Sequence, residues 1–311
     1  MSFRSFVLAL SSHKWVEGFV KGSPITRGIV RRFIAGESWK SAVPVAEKLC
    51  GEGFRVSLDC LGEHVSKSEE AEAATKEYLE LIEAISRSKH CGGSAPENIN
   101  ISIKLSQLGM LLDTEQCYQR LIRLLSAAAQ SSNFVRVDME DSSTVDKTIE
   151  IVTRARETHP NVGVVLQAML KRTPEDVAFV IKNGIRTRLV KGAYLESEAV
   201  AYPDKQEIDA AYLALGKMLM VEGSYTAFAT HDPRLCDALC EFADQANVGS
   251  GRFEFQMLYG INRPLQQRLH KAGYTVRIYV PYGMSWYPYF SRRIAERPAN
   301  LLFFMRSLFS R

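Results

Sequence analysis

Near the C-terminal end of the chain, Arg292, Arg293 and Glu296 follow Tyr289 at steps of three, four and seven residues. On a helix this spacing puts a phenol, two guanidinium groups and a carboxylate on one face. Two adjacent arginines beside aromatic rings suit a clamp for a small carboxylate or a phosphate, because each guanidinium offers a planar fork of donors. A solvated basic helix end would carry the same residues. Which reading holds depends on where the preceding elements place this helix.

Those elements alternate. Strand candidates fall at 54–61, 99–105, 134–139, 163–168, 186–190, 226–230, 253–258 and 275–280. Helical stretches at 68–89, 114–131, 142–158, 173–183, 205–222, 233–246 and 264–272 lie between them. Several open on a Ser, Thr or Asp cap and close on glycine, as at Thr173-Pro174 and Asn183-Gly184. Pro281 and Gly283 read as the stop of the eighth strand, and the helix bearing Tyr289 follows. Strict alternation predicts the α/β class with a parallel sheet, and eight units over about 250 residues predict a closed (β/α)8 TIM barrel. Residues 1–50 read as an N-terminal helical arm and residues 51–311 as the barrel, one domain overall. No Gly-rich dinucleotide turn follows the first strand, and no P-loop is present.

In such barrels chemistry gathers at the C-terminal ends of the strands. The sequence delivers Lys104 there, then Asp138 and Met139 with Glu140 and Asp141, then Gln167. Strand five supplies Arg188, Lys191, Gly192, Ala193 and Tyr194. Thr230 and His231, Gln256 and Leu258, and Tyr279 complete the ring, so polar residues end seven of eight strands whose interiors read as apolar. Each has a plainer alternative. Lys104 could snorkel to the surface, Gln167 could satisfy backbone groups, and His231-Asp232-Pro233 could be a capping turn. For Glu140 and Asp141, capping of the next helix is the favoured reading. Lys104, Arg188, Lys191, Arg292 and Arg293 face one well-placed acid, Asp138, a balance suited to an anionic cofactor and an acidic substrate. His231 is the single strand-end histidine, so no metal site is expected.

Composition narrows the classes further. The chain of 311 residues is 46% hydrophobic and 24% charged, with a net charge of +4, ordinary for a soluble protein and too mild for a dedicated nucleic-acid binder. No apolar run is long enough for a membrane span or a signal peptide. Six scattered cysteines read as reduced thiols. On the residues alone, a cofactor-dependent oxidoreductase, a Schiff-base lyase using Lys104 or Lys191, and a non-catalytic barrel that binds a phosphorylated metabolite or a protein all stay open.

With these residues in place, the chain resembles the proline dehydrogenase family, flavin-dependent enzymes of proline catabolism. The likeness runs over roughly residues 50–300 and is strongest to the stand-alone bacterial form. It is carried by Ser102-Ile103-Lys104-Leu105-Ser106, Val137-Asp138-Met139-Glu140, Val165-Leu166-Gln167-Ala168, the run from Arg188 to Tyr194, Ala229-Thr230-His231, Glu254-Phe255-Gln256-Met257-Leu258, Arg277-Ile278-Tyr279, and Tyr289-x-x-Arg292-Arg293-x-x-Glu296-x-x-x-Asn300. The resemblance implies a distorted (β/α)8 barrel holding FAD at the strand ends, with the last helix over the barrel mouth. It implies that Lys104, Arg292 and Arg293 pair with the carboxylate of L-proline, and that Leu258, Tyr279 and Tyr289 pack on its ring. Arg188 would reach flavin N5 and Gln167 the pyrimidine edge. Lys191, Gly192, Ala193, Tyr194, Thr230 and His231 would follow the ribityl and phosphate portion. Asp138, Met139, Gln256 and Leu258 would lie against the flavin, and Glu296 would tie the last helix to it.

The same resemblance implies hydride transfer from proline C5 to flavin N5, giving Δ1-pyrroline-5-carboxylate, with electrons passed to a membrane quinone. No aldehyde dehydrogenase domain follows, so the next oxidation is expected on a separate pyrroline-5-carboxylate dehydrogenase. A cytoplasmic protein is implied, with peripheral contact on the inner face of the membrane left open. The apolar tail at 301–309 could touch lipid or pack on the N-terminal arm, and packing is the favoured reading.

Overall fold

The computed structural model describes residues 30–62, 64–90 and 97–296, with side chains as far as Ser291. Eight parallel strands close into a barrel in chain order. They are β1 (Arg55–Cys60), β2 (Ile99–Ile103), β3 (Val135–Val137), β4 (Val162–Gln167), β5 (Arg186–Val190), β6 (Thr226–Ala229), β7 (Phe253–Leu258) and β8 (Val276–Tyr282). Around them stand α1 (Trp39–Gly51), α2 (Ser68–Ser86), α3 (Thr114–Ala129), α4 (Val145–Arg156), α5 (Thr173–Lys182), α6 (Lys205–Glu222), α7 (Pro233–Gln245) and α8 (Arg263–Lys271), and α9 (Trp286–Glu296) follows β8. The barrel closes where β8 pairs with β1, from Arg55 opposite Arg277 to Cys60 opposite Tyr282.

Local chemistry explains where the helices begin. Asp113 accepts the amides of Glu115 and Gln116 at 3.0 Å, and Asp232 accepts that of Arg234 at 3.1 Å. These carboxylates satisfy donors that have no partner inside the helix. The expected 142–158 helix divides into a short 3-10 turn at Ser142–Thr144 and α4. Asp141 caps that turn through the Ser143 amide at 3.0 Å.

Each strand alternates between two buried faces. Val56, Leu58, Ile101, Ile103, Leu189, Phe255 and Ile278 point outward and are buried against the helix ring, where the apolar core lies. The positions between them point inward, and many are polar: Ser57 and Ser102 share a hydrogen bond of 3.0 Å, and Asn100, Arg136, Glu254 and Arg277 are almost fully buried. The expected apolar strand interiors therefore apply to the outer face alone. A barrel of this kind usually fills its centre with branched aliphatic side chains, and this one fills it with charges and hydrogen bonds.

The eighth strand runs two residues past its expected end. It continues through Pro281 to Tyr282. Tyr282 O accepts the Leu61 amide on the β1 side, and Tyr279 O accepts the Tyr259 amide on the β7 side. Backbone groups alternate sides, so the amide that Pro281 lacks would face the β7 side, where that strand has already ended.

Helix α1 packs beside β8 and β1, the place a barrel's last helix would otherwise hold. The last helix, α9, instead lies over the strand ends, as expected from the resemblance. Trp286, Tyr287, Tyr289 and Phe290 cluster with Val30, Ile34 and Leu61. Most of the expected arm and the 301–309 tail lie outside the described residues.

Candidate active site

Above the C-terminal ends of the strands and beneath α9 is a cavity of about 1200 Å³. Every site residue read from the sequence whose side chain is described lines it, from Lys104 on β2's end to Tyr289 on α9. Arg292, Arg293 and Glu296 lie on α9 by backbone, and their side chains lie outside the described residues.

The floor of the cavity is a hydrogen-bonded set contributed by five strands and their C-terminal ends. Arg188 donates to Asp138 Oδ1 at 2.6 Å and to Ser102 Oγ at 3.0 Å. Tyr279 donates its hydroxyl to Asp138 Oδ2 at 2.7 Å, and the Arg188 guanidinium lies 5.2 Å from the centre of the Tyr279 ring. Asp138 thus fixes a guanidinium with one oxygen and a phenol with the other. Burial, followed by the charge of Asp138, pushes the Tyr279 hydroxyl far above its ordinary pKa, so it stays a donor. Lys104 donates to Asp59 Oδ1 at 3.3 Å.

Asp59 was missed at the sequence level. It ends β1 facing inward, two residues after the inward-facing Ser57, and the period of two along that strand was the signal that could have found it.

The rim is less cationic than the sequence suggests. Lys191 pairs with Asp209 at 2.5 Å and with Asp232 at 3.7 Å, and Lys205 shares both carboxylates. Burial alone would raise the Asp209 pKa, but hydrogen bonds from Lys191 and Lys205 outweigh it and hold the carboxyl below its usual range. Glu140 does not cap the following helix. It turns inward and accepts the Ser106 amide at 3.0 Å and the Ser106 hydroxyl at 2.5 Å, and burial raises its pKa. The Glu140 carbonyl accepts Gln167 Nε2 at 2.8 Å, which orients that amide in the cavity wall. Asp232 does cap α7, and its neighbour His231 lines the cavity as well. His231 Nε2 accepts the Leu258 amide at 2.8 Å, which ties the end of β6 to the end of β7.

At Gly192 the backbone has φ +115°, and a Cβ there would sit 2.3 Å from Met169 Sδ. A side chain would collide with that thioether and strain the backbone, so the chain at this rim stays bare.

The family model of proline dehydrogenase matches residues 42–306. The chain belongs to the proline dehydrogenase family. It is 36% identical to proline dehydrogenase 2 of Bacillus subtilis (strain 168), over 99% of both chains. It is 38% identical to proline dehydrogenase of Deinococcus radiodurans, over 98% of this chain and 97% of that one. The structure of proline utilization A from Bdellovibrio bacteriovorus, inactivated by N-propargylglycine, superposes with a TM-score of 0.81 at 27% identity, covering 92% of this chain and 34% of that one. The bifunctional protein PutA of Escherichia coli is 31% identical over 88% of this chain and 24% of its own length. The protein is thus an enzyme of the proline dehydrogenase class, with an activity in proline catabolism. Among the described residues, no helix is long and apolar enough to cross a membrane.

Proposed function

We propose that the cavity binds FAD and L-proline together, and that the enzyme oxidises proline at C5 to Δ1-pyrroline-5-carboxylate. The observation that carries this reading is the Asp138–Arg188–Tyr279 set at the floor of a cavity larger than the roughly 300–1,000 Å³ typical of one small ligand. Two further features favour a polar heterocycle there. Arg188 Nε and Gln256 Oε1 are buried without a hydrogen-bond partner among the described residues, and a buried polar atom of that kind calls for a ligand or water. Gly192 lines the cavity as well, which puts its backbone within reach of a bound group.

In this reading Gln167, Arg188 and Gln256 hold the ring system, with Asp138 and Met139 beside it. Lys191, Gly192, Ala193, Tyr194, Thr230 and His231 hold the ribityl and phosphate portion, and Glu296 reaches it from α9. When bound, the flavin supplies the two-electron acceptor that no side chain can provide. Lys104, Arg292 and Arg293 bind the substrate carboxylate, and Leu258, Tyr279 and Tyr289 wall its ring. That placement makes the transfer effectively intramolecular. The C5–H bond breaks with its electron pair, and the lone pair of the neutral ring nitrogen forms the C=N bond. Asp138 keeps Arg188 and Tyr279 in position, and α9 excludes water. The electrons then pass to a quinone, with the next oxidation assigned to a pyrroline-5-carboxylate dehydrogenase.

A Schiff-base role for Lys104 is disfavoured by its ion pair with Asp59, which engages the amine that would have to attack. The purified protein should be yellow, and anaerobic L-proline should bleach it. A colourless preparation that takes up no FAD would overturn the reading.

A further inference from the structure

Asp59 has no part in the roles above, yet it lies at the centre of the site. It ends β1 pointing into the barrel, is 1% exposed, and lines the cavity beside Lys104 and Tyr279. Its register partners are Ser102 on β2 and Pro281 on β8, so it stands between the strand that carries Lys104 and the strand that carries Tyr279. Lys104 carries its ammonium on a flexible four-carbon stem, and the residue is only 9% exposed. A lysine so placed has two difficulties: burial favours its neutral form, and its stem can settle in several rotamers. A carboxylate 3.3 Å from Nζ answers both.

We infer that Asp59 is a positioning residue for the substrate carboxylate, acting through Lys104, whose ammonium it holds in place at the cavity floor. The inference rests on the proposed role of Lys104 in binding proline.

Among the described residues, the other charged groups near the ammonium are each bound elsewhere as well. Asp138, at the end of β3, is occupied by Arg188 from β5 and Tyr279 from β8. Glu140 is bound to Ser106, and the charges of Lys104 and His64 act on it. Arg188 adds a like charge. Burial, with the nearby charge of Asp138, raises the pKa of Asp59, and the opposing pull of Lys104 and Tyr279 offsets this only in part.

Replacing Asp59 by Asn keeps the shape and removes the charge. Lys104 then loses the Asp59 carboxylate beside its ammonium, which makes the charged form less favourable. The sign follows: the lysine stays charged at low pH and becomes neutral as the pH rises.

The test compares KM for L-proline in holoenzyme variants across about pH 6 to 9. Taking the ratio of variant to parent cancels the titration of proline's own amine. For Asp59→Asn the ratio should be about 3 or less at the acid end and about 30 or more at the alkaline end, with flavin content unchanged. Asp59→Glu should bring the ratio back toward a flat line. Asp59→Ser, which leaves room for a water, should climb like Asp59→Asn and serves if the latter folds poorly.

Lys104→Met separates the two levels of the argument. If Lys104→Met raises KM while both neutral Asp59 variants give a pH-independent ratio, the inference about Asp59 is wrong and the role of Lys104 stands. If Lys104→Met keeps the parent's KM, Lys104 does not bind the carboxylate, and the role of Asp59 falls with it.

Discussion

Two layers of charge fill the same barrel and do different work. In the lower layer Arg277 is 1% exposed and grips Glu254 with Nε at 2.7 Å and Nη2 at 3.1 Å. Its Nη1 reaches the carbonyls of Val56 and Glu97 at 2.9 Å each. Tyr225 and Gln256 also donate to Glu254, and Arg186 binds Glu97 through both nitrogens at 2.7 and 2.8 Å. In the upper layer Asp138 and Arg188 pair at 2.6 Å and Asp59 and Lys104 at 3.3 Å, but both pairs face the cavity. The lower layer is closed on itself and joins strands. The upper layer holds side chains at the surface of an open volume. A buried ion pair is therefore a poor guide to role by burial alone; what it faces separates scaffold from site.

The comparison breaks most sharply at Glu254. Glu254→Gln leaves the Arg277 guanidinium buried without its anion, and removing one partner of such a pair costs about 3–5 kcal/mol. Urea unfolding should show that loss. A variant as stable as the parent would mean that the lower layer is not scaffold. The second effect is on pH. Burial raises the Glu254 pKa, but Arg277 outweighs it and holds the carboxyl at about 2. The pKa is depressed on folding, so the stabilisation is complete above the ordinary glutamate range near 4.3 and is lost as the pH falls toward about 2. It amounts to about 3 kcal/mol by linkage. The acid limb of the unfolding curve should be flatter in Glu254→Gln than in the parent.

In the upper layer the loss should appear in kinetics. Asp138→Asn weakens its hold on Arg188 and Tyr279, and kcat/KM should drop about a hundredfold, near 2.7 kcal/mol, with a smaller change in unfolding midpoint than at Glu254. The reverse pattern would make Asp138 part of the scaffold. Arg292→Lys and Arg293→Lys keep charge and lose the fork, so each should raise KM for proline more than tenfold, about 1.4 kcal/mol, with FAD still bound. Unchanged KM in both variants would remove them from substrate binding. The smallest effect concerns Tyr279, proposed to guard the ring's 4-position. Tyr279→Ser should improve 4-hydroxyproline relative to proline by a few-fold, and no gain in that ratio would count against the wall.

Much of this was legible in the sequence, and the failures have a common cause. The eight strands were readable because short β-branched runs recur between capped helices, and the strand ends named the cavity lining because polar residues stand there at fixed places. The lower layer was not readable. Glu254 and Arg277 are 23 residues apart, and Glu97 and Arg186 are 89 apart, so the pairs exist only once the barrel closes. Val276, Ile278 and Val280 alternate with Arg277 and Tyr279, a pattern that marks a strand but does not show that Arg277 is as buried as the valines. Asp59 was not legible because it stands one residue before the end of β1, and only the strand's period of two turns it inward. The paired rim was not legible because Asp209 comes from the second turn of α6, well beyond any strand end in the chain.

The reach of Arg277 also sets an order of assembly. Its contacts with Val56 and Glu97 span 221 and 180 residues, nearly the whole barrel. During synthesis from the N-terminus, β1 and the chain just before β2 emerge long before the guanidinium that will bind them. Until β8 arrives, Glu254 waits without Arg277 and the first strand has an open edge, which is the state most exposed to mispairing. Closure between ends so far apart is slow because the loop entropy is lost before the contacts form. The residue that locks the barrel is thus among the last to be made, and a nascent chain lacking it holds seven strands and no closed wall.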